Sequence, residues 1–491
     1  MFKKLTNLLL HNRSTSQTVV KNTIWLMVGE VAHSLRFIVA IFAARILGAA
    51  NWGIFSYAVT LAGMFTIVSD IGISGVLNRE VARNPEHHAQ YLSTSFFLKI
   101  FLILFSIAIV WITAPFLLNI DGVRSFLIII CLILAFDSMR DFSFAIIRAK
   151  EKMEQEAVIK TVTNVGILVL GLAFLLFIPT PKALAWSYAI GSGLGLITGI
   201  WLLRPYLANL FSNFTRKLVW PIFSSAWPFA MVALLSSLMI NMDTVIIGHF
   251  RSAAEIGFYA AAQRPIQLFY TVSALISSAI FPSLAKSAKR DNARFRFLFE
   301  KVIAVTFLIG LPITIGGIIL GKGVVQVLFG NQYLAGVLTF QLLLLTTTIT
   351  FLYGILVNGL FAFDRQSIFT WAIAGGVLTN LILDLLLIPR YGISGSAIAT
   401  IIAQLVVLTP LYIAMRKINF FLIWKNIEKI AVATITMGSV ALIMNILKVN
   451  FYINLPIDVV IYFGMLYFLK EPLAEDIASV FGIATNRQKN L

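Results

Sequence analysis

Three ionisable side chains lie at intervals of three residues within the first long apolar run of the chain. They are Glu30, His33 and Arg36, and this spacing keeps them on one face of a helix, within about 120°. The planar donor fork of a guanidinium matches phosphate oxygens, and an imidazole can carry a proton. The stripe predicts one of two arrangements. Either it lines a polar cavity, with Arg36 as a phosphate ligand and Glu30 and His33 as proton carriers, or it forms an ion-pair cluster that locks helices together.

Other polar side chains interrupt later apolar runs. Arg264 is the second candidate phosphate ligand, and it follows Asp243 on the next predicted helix, so an ion pair between them is the alternative to a substrate role. Three acids are candidate coupling or cavity-lining groups: Asp70, Asp243 and Asp384. Two amides, Asn164 and Asn380, are predicted to pack helices together through interhelical hydrogen bonds. No catalytic constellation, metal-ligating pattern or phosphate-gripping glycine–lysine loop is present in the sequence.

The composition indicates a membrane protein. Hydrophobic residues make up 59% of the chain and charged residues 12%, with a mean hydropathy of +0.91, whereas soluble domains carry about 25% charged residues. The apolar runs are long and continuous, as in membrane helices rather than barrel strands. The net charge of +17 is explained by basic loops facing the cytoplasm, so no nucleic-acid partner is expected.

The sequence predicts an all-α polytopic fold with about fourteen transmembrane helices, arranged as two six-helix lobes plus two C-terminal helices. The predicted divisions are a cytoplasmic segment over 1–21, an N-lobe over 22–216, a C-lobe over 217–416, the last two helices over 417–470 and a cytoplasmic tail over 471–491. The predicted spans are 22–43, 53–77, 92–115, 124–147, 157–178, 183–203, 221–247, 256–281, 299–320, 334–361, 367–388, 391–414, 427–447 and 451–469.

Basic residues are distributed unevenly across the predicted loops. With the N-terminus in the cytoplasm, twenty-five Lys and Arg residues fall on the cytoplasmic side. Seven fall on the other side: Arg45, Arg124, Lys182, Arg251, Lys322, Arg390 and Lys448. Cytoplasmic loops carry an excess of Lys and Arg, so the count predicts a multi-pass protein of the cytoplasmic (inner) membrane with both termini in the cytoplasm.

Two internal repeats support the two-lobe arrangement. Ala49-Ala50-Asn51-Trp52-Gly53 matches Ala253-Ala254-Glu255-Ile256-Gly257 at a shift of 204 residues. Thr163-Asn164 and Thr379-Asn380, at a shift of 216, each precede an apolar run that ends in Ile-Pro. Repeats of this kind occur in transporters built from two similar halves.

The chain resembles a known family in two stretches, residues 44–57 and 70–80. They read Ala44-Arg45-Ile-Leu-Gly48…Trp52-Gly53-Ile-Phe-Ser-Tyr57 and Asp70-Ile-Gly72-Ile-Ser…Asn78-Arg79-Glu80. Both resemble polysaccharide transporters, the Wzx-type lipid-linked oligosaccharide flippases of the multidrug/oligosaccharidyl-lipid/polysaccharide exporter superfamily. The lipid II flippases of that superfamily usually show Asp-Ala-Phe where this chain has Gly53-Ile54-Phe55, which counts against that branch.

The resemblance implies two helical lobes around a central cavity, alternating access and a polyprenyl-diphosphate-linked glycan as cargo. It also implies a transporter without a cofactor, coupled to H⁺ or Na⁺, that works among membrane lipids and beside polysaccharide polymerase machinery in surface polysaccharide export. Two other functions stay open. One is a cation-coupled multidrug exporter of the same superfamily, and the other is a membrane-embedded polysaccharide polymerase or acyltransferase.

Overall fold

The computed structural model describes residues 15–83, 85–117, 120, 122–207, 210–288, 290–423 and 427–472. All regular structure within these ranges is helical, and they contain no strand. The predicted all-α class is therefore confirmed. Residues 1–14, within the predicted segment 1–21, and residues 473–491, within the predicted tail, lie outside the described residues.

Thirteen α-helices follow one another along the described part of the chain. They are α1 (Thr15–Val68), α2 (Ile73–Arg83), α3 (His88–Leu117), α4 (Leu127–Ala149), α5 (Met153–Phe177), α6 (Pro181–Leu207), α7 (Val219–Phe250), α8 (Ala253–Ala288), α9 (Asn292–Phe329), α10 (Val337–Ala362), α11 (Gln366–Ile418), α12 (Glu428–Ile446) and α13 (Phe451–Phe468). Short 3₁₀ turns lie at Pro85–His87, Val123–Phe126, Arg216–Leu218 and Asn331–Gly336.

Eleven of the described helices are long and apolar enough to cross a membrane. The two exceptions are α2, which has 11 residues, and α4, which has 23 residues but carries Asp137, Arg140, Asp141 and Arg148. The chain is therefore a multi-pass membrane protein.

Two helices are much longer than one membrane passage. α1 and α11 have 54 and 53 residues, which is about 80 Å of helix, against a hydrocarbon core of about 30 Å. Each is interrupted at a glycine with a positive φ, Gly48 (φ 76°) and Gly392 (φ 60°). A side chain would be strained in this backbone conformation. Gly48 falls between the predicted spans 22–43 and 53–77, whereas Gly392 is the second residue of the predicted span 391–414. The count of fourteen passages stays a prediction.

Arg251 stabilises the helix end at the interruption of α11. The Arg251 guanidinium donates hydrogen bonds to the backbone carbonyls of Ile388 (2.8 and 3.0 Å) and Pro389 (2.8 Å), just before Gly392. Carbonyls at a helix end lack intrahelical donors, and a cation satisfies both their hydrogen-bonding capacity and their partial negative charge. Arg251 therefore caps the part of α11 that precedes Gly392.

One predicted span is broken in the structure. The sequence predicts a single helix over 53–77, whereas α1 ends at Val68 and α2 begins at Ile73. Ile71 (φ 41°) and Gly72 (φ 77°) both adopt positive φ between them. The prediction of an uninterrupted span is wrong because Asp70 and Gly72 stabilise a turn at this point. Gly72 can adopt the positive φ that the turn requires, and the Asp70 carboxylate accepts a hydrogen bond from Ser74 in the first turn of α2.

The chain divides into two compact units. The first comprises residues 1–265 and 380–396, and the second residues 266–379 and 397–491. The predicted lobes group helices by their order in the sequence, whereas these units group residues that lie close together in space. The lobe boundaries therefore stay predictions. In the first unit, buried side chains of α2, α4, α5 and α6 form an apolar core that includes Leu77, Phe142, Ile147, Ile159 and Leu203.

In the second unit, α12 and α13 pack on α9. The apolar core between them includes Leu308, Ile430, Met437, Tyr462 and Leu466, and the Tyr462 hydroxyl donates to the Leu308 carbonyl at 2.7 Å. Asp458 on α13 is 3% exposed, and its carboxylate oxygens have no hydrogen-bond partner among the described residues. The sequence analysis did not single out this buried acid.

Candidate functional site

A polar cavity of about 500 Å³ lies in the first unit, between α1, α2, α3, α4 and α5. Its charged and polar lining residues include Glu30, His33, Asp70, Asn78, Lys99, Arg140, Asp141, Arg148 and Lys160. Single-ligand pockets in proteins commonly have volumes of about 300–1,000 Å³. Three of the predicted site residues, Glu30, His33 and Asp70, therefore line one common cavity.

The three ionisable residues of the α1 stripe have different surroundings. Glu30 accepts a hydrogen bond from the Lys160 ammonium at 2.7 Å, and His33 is exposed to the cavity. Arg36 does not line the cavity wall. Its Nε donates to the Asn164 side-chain oxygen at 2.6 Å, and its guanidinium lies 5.5 Å from the Tyr188 ring centroid. This face of α1 thus combines one ion pair, Glu30–Lys160, with two groups, His33 and Arg36, that form no ion pair on this face among the described residues.

Asn164 has a positioning role in this arrangement. Its amide nitrogen donates to the Lys160 backbone carbonyl at 2.6 Å while its oxygen accepts from Arg36. Because both ends of the amide are engaged, its orientation is fixed. Asn164 therefore fixes the orientation of the Arg36 guanidinium relative to α5, which is a more specific task than the helix packing predicted for it.

Several cations surround His33. Arg36, Arg140, Lys160 and Arg264 all interact with it electrostatically, and Arg140 and Arg264 also act on Arg36. Arg264, on α8, lies with its guanidinium 5.9 Å from the Trp52 ring centroid. We call Arg36, Arg140 and Arg264 the arginine cluster. It unites the two predicted phosphate ligands with Arg140, which the sequence analysis did not single out and which forms ion pairs with Asp137 and Asp141.

The remaining cations of the cavity are paired with acids. Lys99 forms an ion pair with Asp70. The Arg148 guanidinium donates twice to Glu156, at 2.7 Å each, and Lys160 reaches the same Glu156 at 3.1 Å. The Asp70 carboxylate thus contacts two groups, since it also accepts a hydrogen bond from Ser74. Lys99 was not predicted as its partner.

A second polar cluster lies between α7, α8 and α11, within the first unit. Asp243 (1% exposed) accepts a hydrogen bond from the Tyr259 hydroxyl. The Asp384 carboxyl (0% exposed) interacts electrostatically with that of Asp243, and Ser396 lies beside it. We call Asp243, Tyr259, Asp384 and Ser396 the acidic cluster. The sequence analysis predicted both acids but not Tyr259 or Ser396.

Two buried polar side chains of α11, those of Asp384 and Asn380, have no hydrogen-bond partner within the part of the chain that the structure describes. Both carboxylate oxygens of Asp384 and both polar atoms of the Asn380 side chain have none among the described residues, although each residue is fully buried. They lie one helical turn apart on α11. Two facing buried carboxyl groups cannot both carry charge without a compensating proton or cation. This arrangement therefore suits a proton or a small cation with oxygen ligands.

The first internal repeat forms a close helix crossing. A Cβ atom placed on Gly53 would lie 1.8 Å from the Ala253 carbonyl oxygen, and one placed on Gly257 would lie 2.0 Å from that of Ala49. The two contacts are reciprocal: residues matched by the 204-residue shift exchange roles. Small residues four apart allow such close approach of membrane helices, and only glycine fits at these two positions.

A second close contact lies at the break between α1 and α2. A Cβ on Gly72 would lie 2.4 Å from the Ala226 carbonyl oxygen of α7. Gly75 faces the Phe229 ring, over which the Arg79 guanidinium lies at 5.8 Å. Segments of the two predicted lobes therefore contact each other near both ends of the part of α1 that follows Gly48.

A family model described as polysaccharide biosynthesis protein matches residues 19–288, which is more than half of the chain. The chain belongs to the polysaccharide biosynthesis protein family. The matched region contains the arginine cluster, the polar cavity and Asp243 and Tyr259 of the acidic cluster. The resemblance inferred from residues 44–57 and 70–80 is confirmed.

Two relatives in this family cover most of the chain. The protein named "Probable low-salt glycan biosynthesis flippase Agl15" of Haloferax volcanii is 24% identical over 485 residues, covering 93% of this chain and 97% of the relative. The capsular polysaccharide biosynthesis protein CapF of Staphylococcus aureus is 21% identical, covering 82% of this chain and all of the relative.

Solved structures share the fold of this family member. The lipid II flippase MurJ in an inward closed conformation superposes with a TM-score of 0.76 at 17% identity, covering 91% of this chain and 99% of MurJ. An inward-facing multidrug resistance MATE family transporter superposes with a TM-score of 0.63 at 12% identity, covering 81% of this chain and 98% of that transporter. The chain therefore has the helical fold that these two transporters share.

Proposed function

We propose that this chain is a flippase that moves a polyprenyl-diphosphate-linked oligosaccharide across the cytoplasmic membrane for surface polysaccharide biosynthesis. The observation that carries the proposal is the arginine cluster. Arg36 and Arg264 come from different predicted lobes, and each guanidinium matches the oxygens of a diphosphate. The flippase name of the Haloferax relative supports the same function.

The alternative functions fit this site less well. A multidrug exporter that carries cationic drugs would need to bring a positive charge next to three arginines, which like-charge repulsion opposes. A polymerase or acyltransferase would need a nucleophile or general base aimed at its substrate. The chemistry of the arginine cluster is recognition of an anion, which a transporter requires and which by itself breaks no bond.

Alternating access is the proposed mechanism. The crossing of Gly53 and Gly257 with Ala253 and Ala49 closes the predicted outer side, and the contact of Gly72 with α7 lies toward the predicted inner side. We infer that the diphosphate binds when the inner contact opens, and that release follows when the outer crossing separates. Both contacts use small residues, so either can part without unpairing buried charges.

The acidic cluster is the proposed coupling site. Binding of H⁺ or Na⁺ between Asp243 and Asp384 would neutralise the buried Asp384 carboxyl, whose oxygens have no hydrogen-bond partner among the described residues. Asn380 supplies a further oxygen on the same face of α11. Tyr259, on α8, donates to Asp243 and lies five residues before Arg264. Binding of a proton or cation at the acidic cluster is therefore linked through α8 to movement of Arg264.

Cells that lack this chain test the proposal. We expect them to accumulate the lipid-linked glycan in the inner leaflet, and wild-type protein to restore its export. Asp384→Asn should restore little export, because the amide cannot take up a proton or balance a cation. Asp458→Asn is the matched control, since it also neutralises a buried acid without a described partner but lies on α13, and it should restore export.

Two results would contradict this account. Normal distribution of the lipid-linked glycan in cells without the chain would remove the flippase proposal. Full export by Asp384→Asn at normal protein level would leave the flippase proposal standing but would exclude Asp384 from coupling.

A further inference from the structure

The polar cavity differs in charge from the arginine cluster beside it. Four cations line the cavity, and each already forms an ion pair with a carboxylate, either one that lines the cavity or one that lies outside its wall. The pairs are Lys99–Asp70, Arg140–Asp137, Arg140–Asp141, Arg148–Glu156, Lys160–Glu30 and Lys160–Glu156, at up to 3.1 Å. A second anion entering the cavity would therefore have to displace an acid from its cation.

Hydrogen-bonding capacity is nevertheless left over on the cavity wall. The side chains of Glu30 and Asp141 are 37% and 44% exposed while each is engaged by one cation, so carboxylate oxygens remain open to the cavity. The Asn78 amide lines the wall and makes no hydrogen bond among the described residues. Carboxylates and amides are acceptors for hydroxyl groups, and an uncharged polyol offers many hydroxyl donors without any net charge.

Arg140 joins the two regions. It lines the cavity and also acts electrostatically on His33 and Arg36. If a diphosphate is held by Arg36 and Arg264, the group attached to it can extend past Arg140 into the cavity. The volume of about 500 Å³ suits a short glycan rather than a polymer.

We propose that the polar cavity binds the uncharged sugar residues next to the diphosphate and discriminates against acidic sugars. This inference rests on the proposed flippase function and deepens it by naming the chemistry of the glycan. Glu30, Asp70 and Asp141 accept hydrogen bonds from neutral sugar hydroxyls. The same carboxylates repel a uronic acid, for which no unpaired cation lines the cavity among the described residues.

Binding of three probes to the purified full chain in lipid nanodiscs tests the inference. The probes are polyprenyl diphosphate, polyprenyl diphosphate N-acetylglucosamine and polyprenyl diphosphate glucuronic acid. Wild-type protein is expected to bind the neutral sugar probe at least about tenfold more tightly than the acidic one, because like charges placed together in a binding site are strongly unfavourable.

Two variants sharpen the test. Asn78→Leu should weaken binding of the neutral sugar probe and leave binding of bare polyprenyl diphosphate unchanged, whereas Asn331→Leu, an exposed position outside the cavity, should change neither. Glu30→Gln releases Lys160 from one acid, so it should improve binding of the acidic probe and lower the preference for the neutral one. A gain of binding of this kind cannot come from misfolding.

The outcomes separate this inference from the flippase proposal. Equal binding of all three probes by wild-type protein, or no change of preference in Glu30→Gln, would overturn the sugar assignment while the diphosphate site stands. Failure of every probe to bind wild-type protein would overturn both.

Discussion

Replacing Arg36 with alanine is expected to lower export of the lipid-linked glycan by about a hundredfold or more. Removing one partner of a buried, hydrogen-bonded charge contact costs about 2–5 kcal/mol. Arg36 is held by Asn164 at 2.6 Å and by the Tyr188 ring, so its guanidinium is positioned before substrate arrives. Arg36→Lys should recover only part of the activity, because an ammonium retains the charge but not the planar fork.

Arg264→Ala is expected to have an effect of similar size, since the diphosphate would lose its contact from the second predicted lobe. Export should be measured in cells beside the level of the protein in the membrane. Arg83→Ala, at the exposed end of α2, is the control for loss of one arginine and should export normally.

The double variant Arg264→Ala with Asp243→Asn separates the two roles that the sequence left open for Arg264. A residue that only neutralises Asp243 becomes dispensable when Asp243 is neutral, so full transport by the double variant would exclude a substrate role. We expect the double variant to remain inactive at a normal protein level. In the structure, Asp243 accepts a hydrogen bond from the Tyr259 hydroxyl, and the Arg264 guanidinium lies over the ring of Trp52.

Gly53→Leu is expected to abolish transport by preventing closure of the helix crossing. Even the first side-chain atom would overlap the Ala253 carbonyl, at 1.8 Å, so α1 and α8 must separate to admit it. Overpacking of a well-packed interface costs about 1–3 kcal/mol, which is enough to shift a balance between open and closed states. Gly63→Leu is the matched control, because Gly63 lies on the same helix with open space around it.

The conformational effect of Gly53→Leu can be measured directly. His33→Cys, introduced with Cys131→Ser, places a single thiol at the polar cavity. A membrane-impermeant thiol reagent added from outside should label this thiol slowly in the parent and faster when Gly53→Leu is present. Unchanged labelling, or transport equal to that of Gly63→Leu, would contradict the view that this crossing closes the outer side.

Much of the fold follows from the sequence because the bilayer restricts the choices. Long apolar runs without alternation dictate helices. Gly48 interrupts α1 where a turn was expected, whereas Gly392 interrupts α11 just inside the predicted span 391–414. The residues matched by the repeat around Gly53 and Gly257 exchange contacts in the structure, while the two-lobe arrangement inferred from the repeat stays a prediction. The break at Ile71 was missed because Asp70 and Gly72 interrupt the apolar pattern too briefly to end a predicted span.

The site was only partly predictable for a different reason. The stripe of Glu30, His33 and Arg36 is visible because its members share one helix face. The partners that fix their roles, Lys160 and Asn164, lie on α5 more than 120 residues away, and spacing carries no information about such pairs. Ser396 was missed because a serine hydroxyl within a helix usually bonds its own backbone. Tyr259 was missed because a tyrosine within an apolar run usually packs as a large apolar side chain.

Transport in reconstituted vesicles tests the central claim most directly. Polyprenyl diphosphate N-acetylglucosamine is incorporated in both leaflets with purified protein, and a membrane-impermeant enzyme modifies the sugar exposed outside. With wild-type protein, the modified fraction should rise beyond the outer-leaflet pool toward the whole pool, whereas vesicles with Arg36→Ala should resemble vesicles without protein. A modified fraction that stays at the outer-leaflet pool with correctly folded wild-type protein, with or without a proton or sodium gradient, would contradict the proposal that this chain is a flippase for lipid-linked glycans.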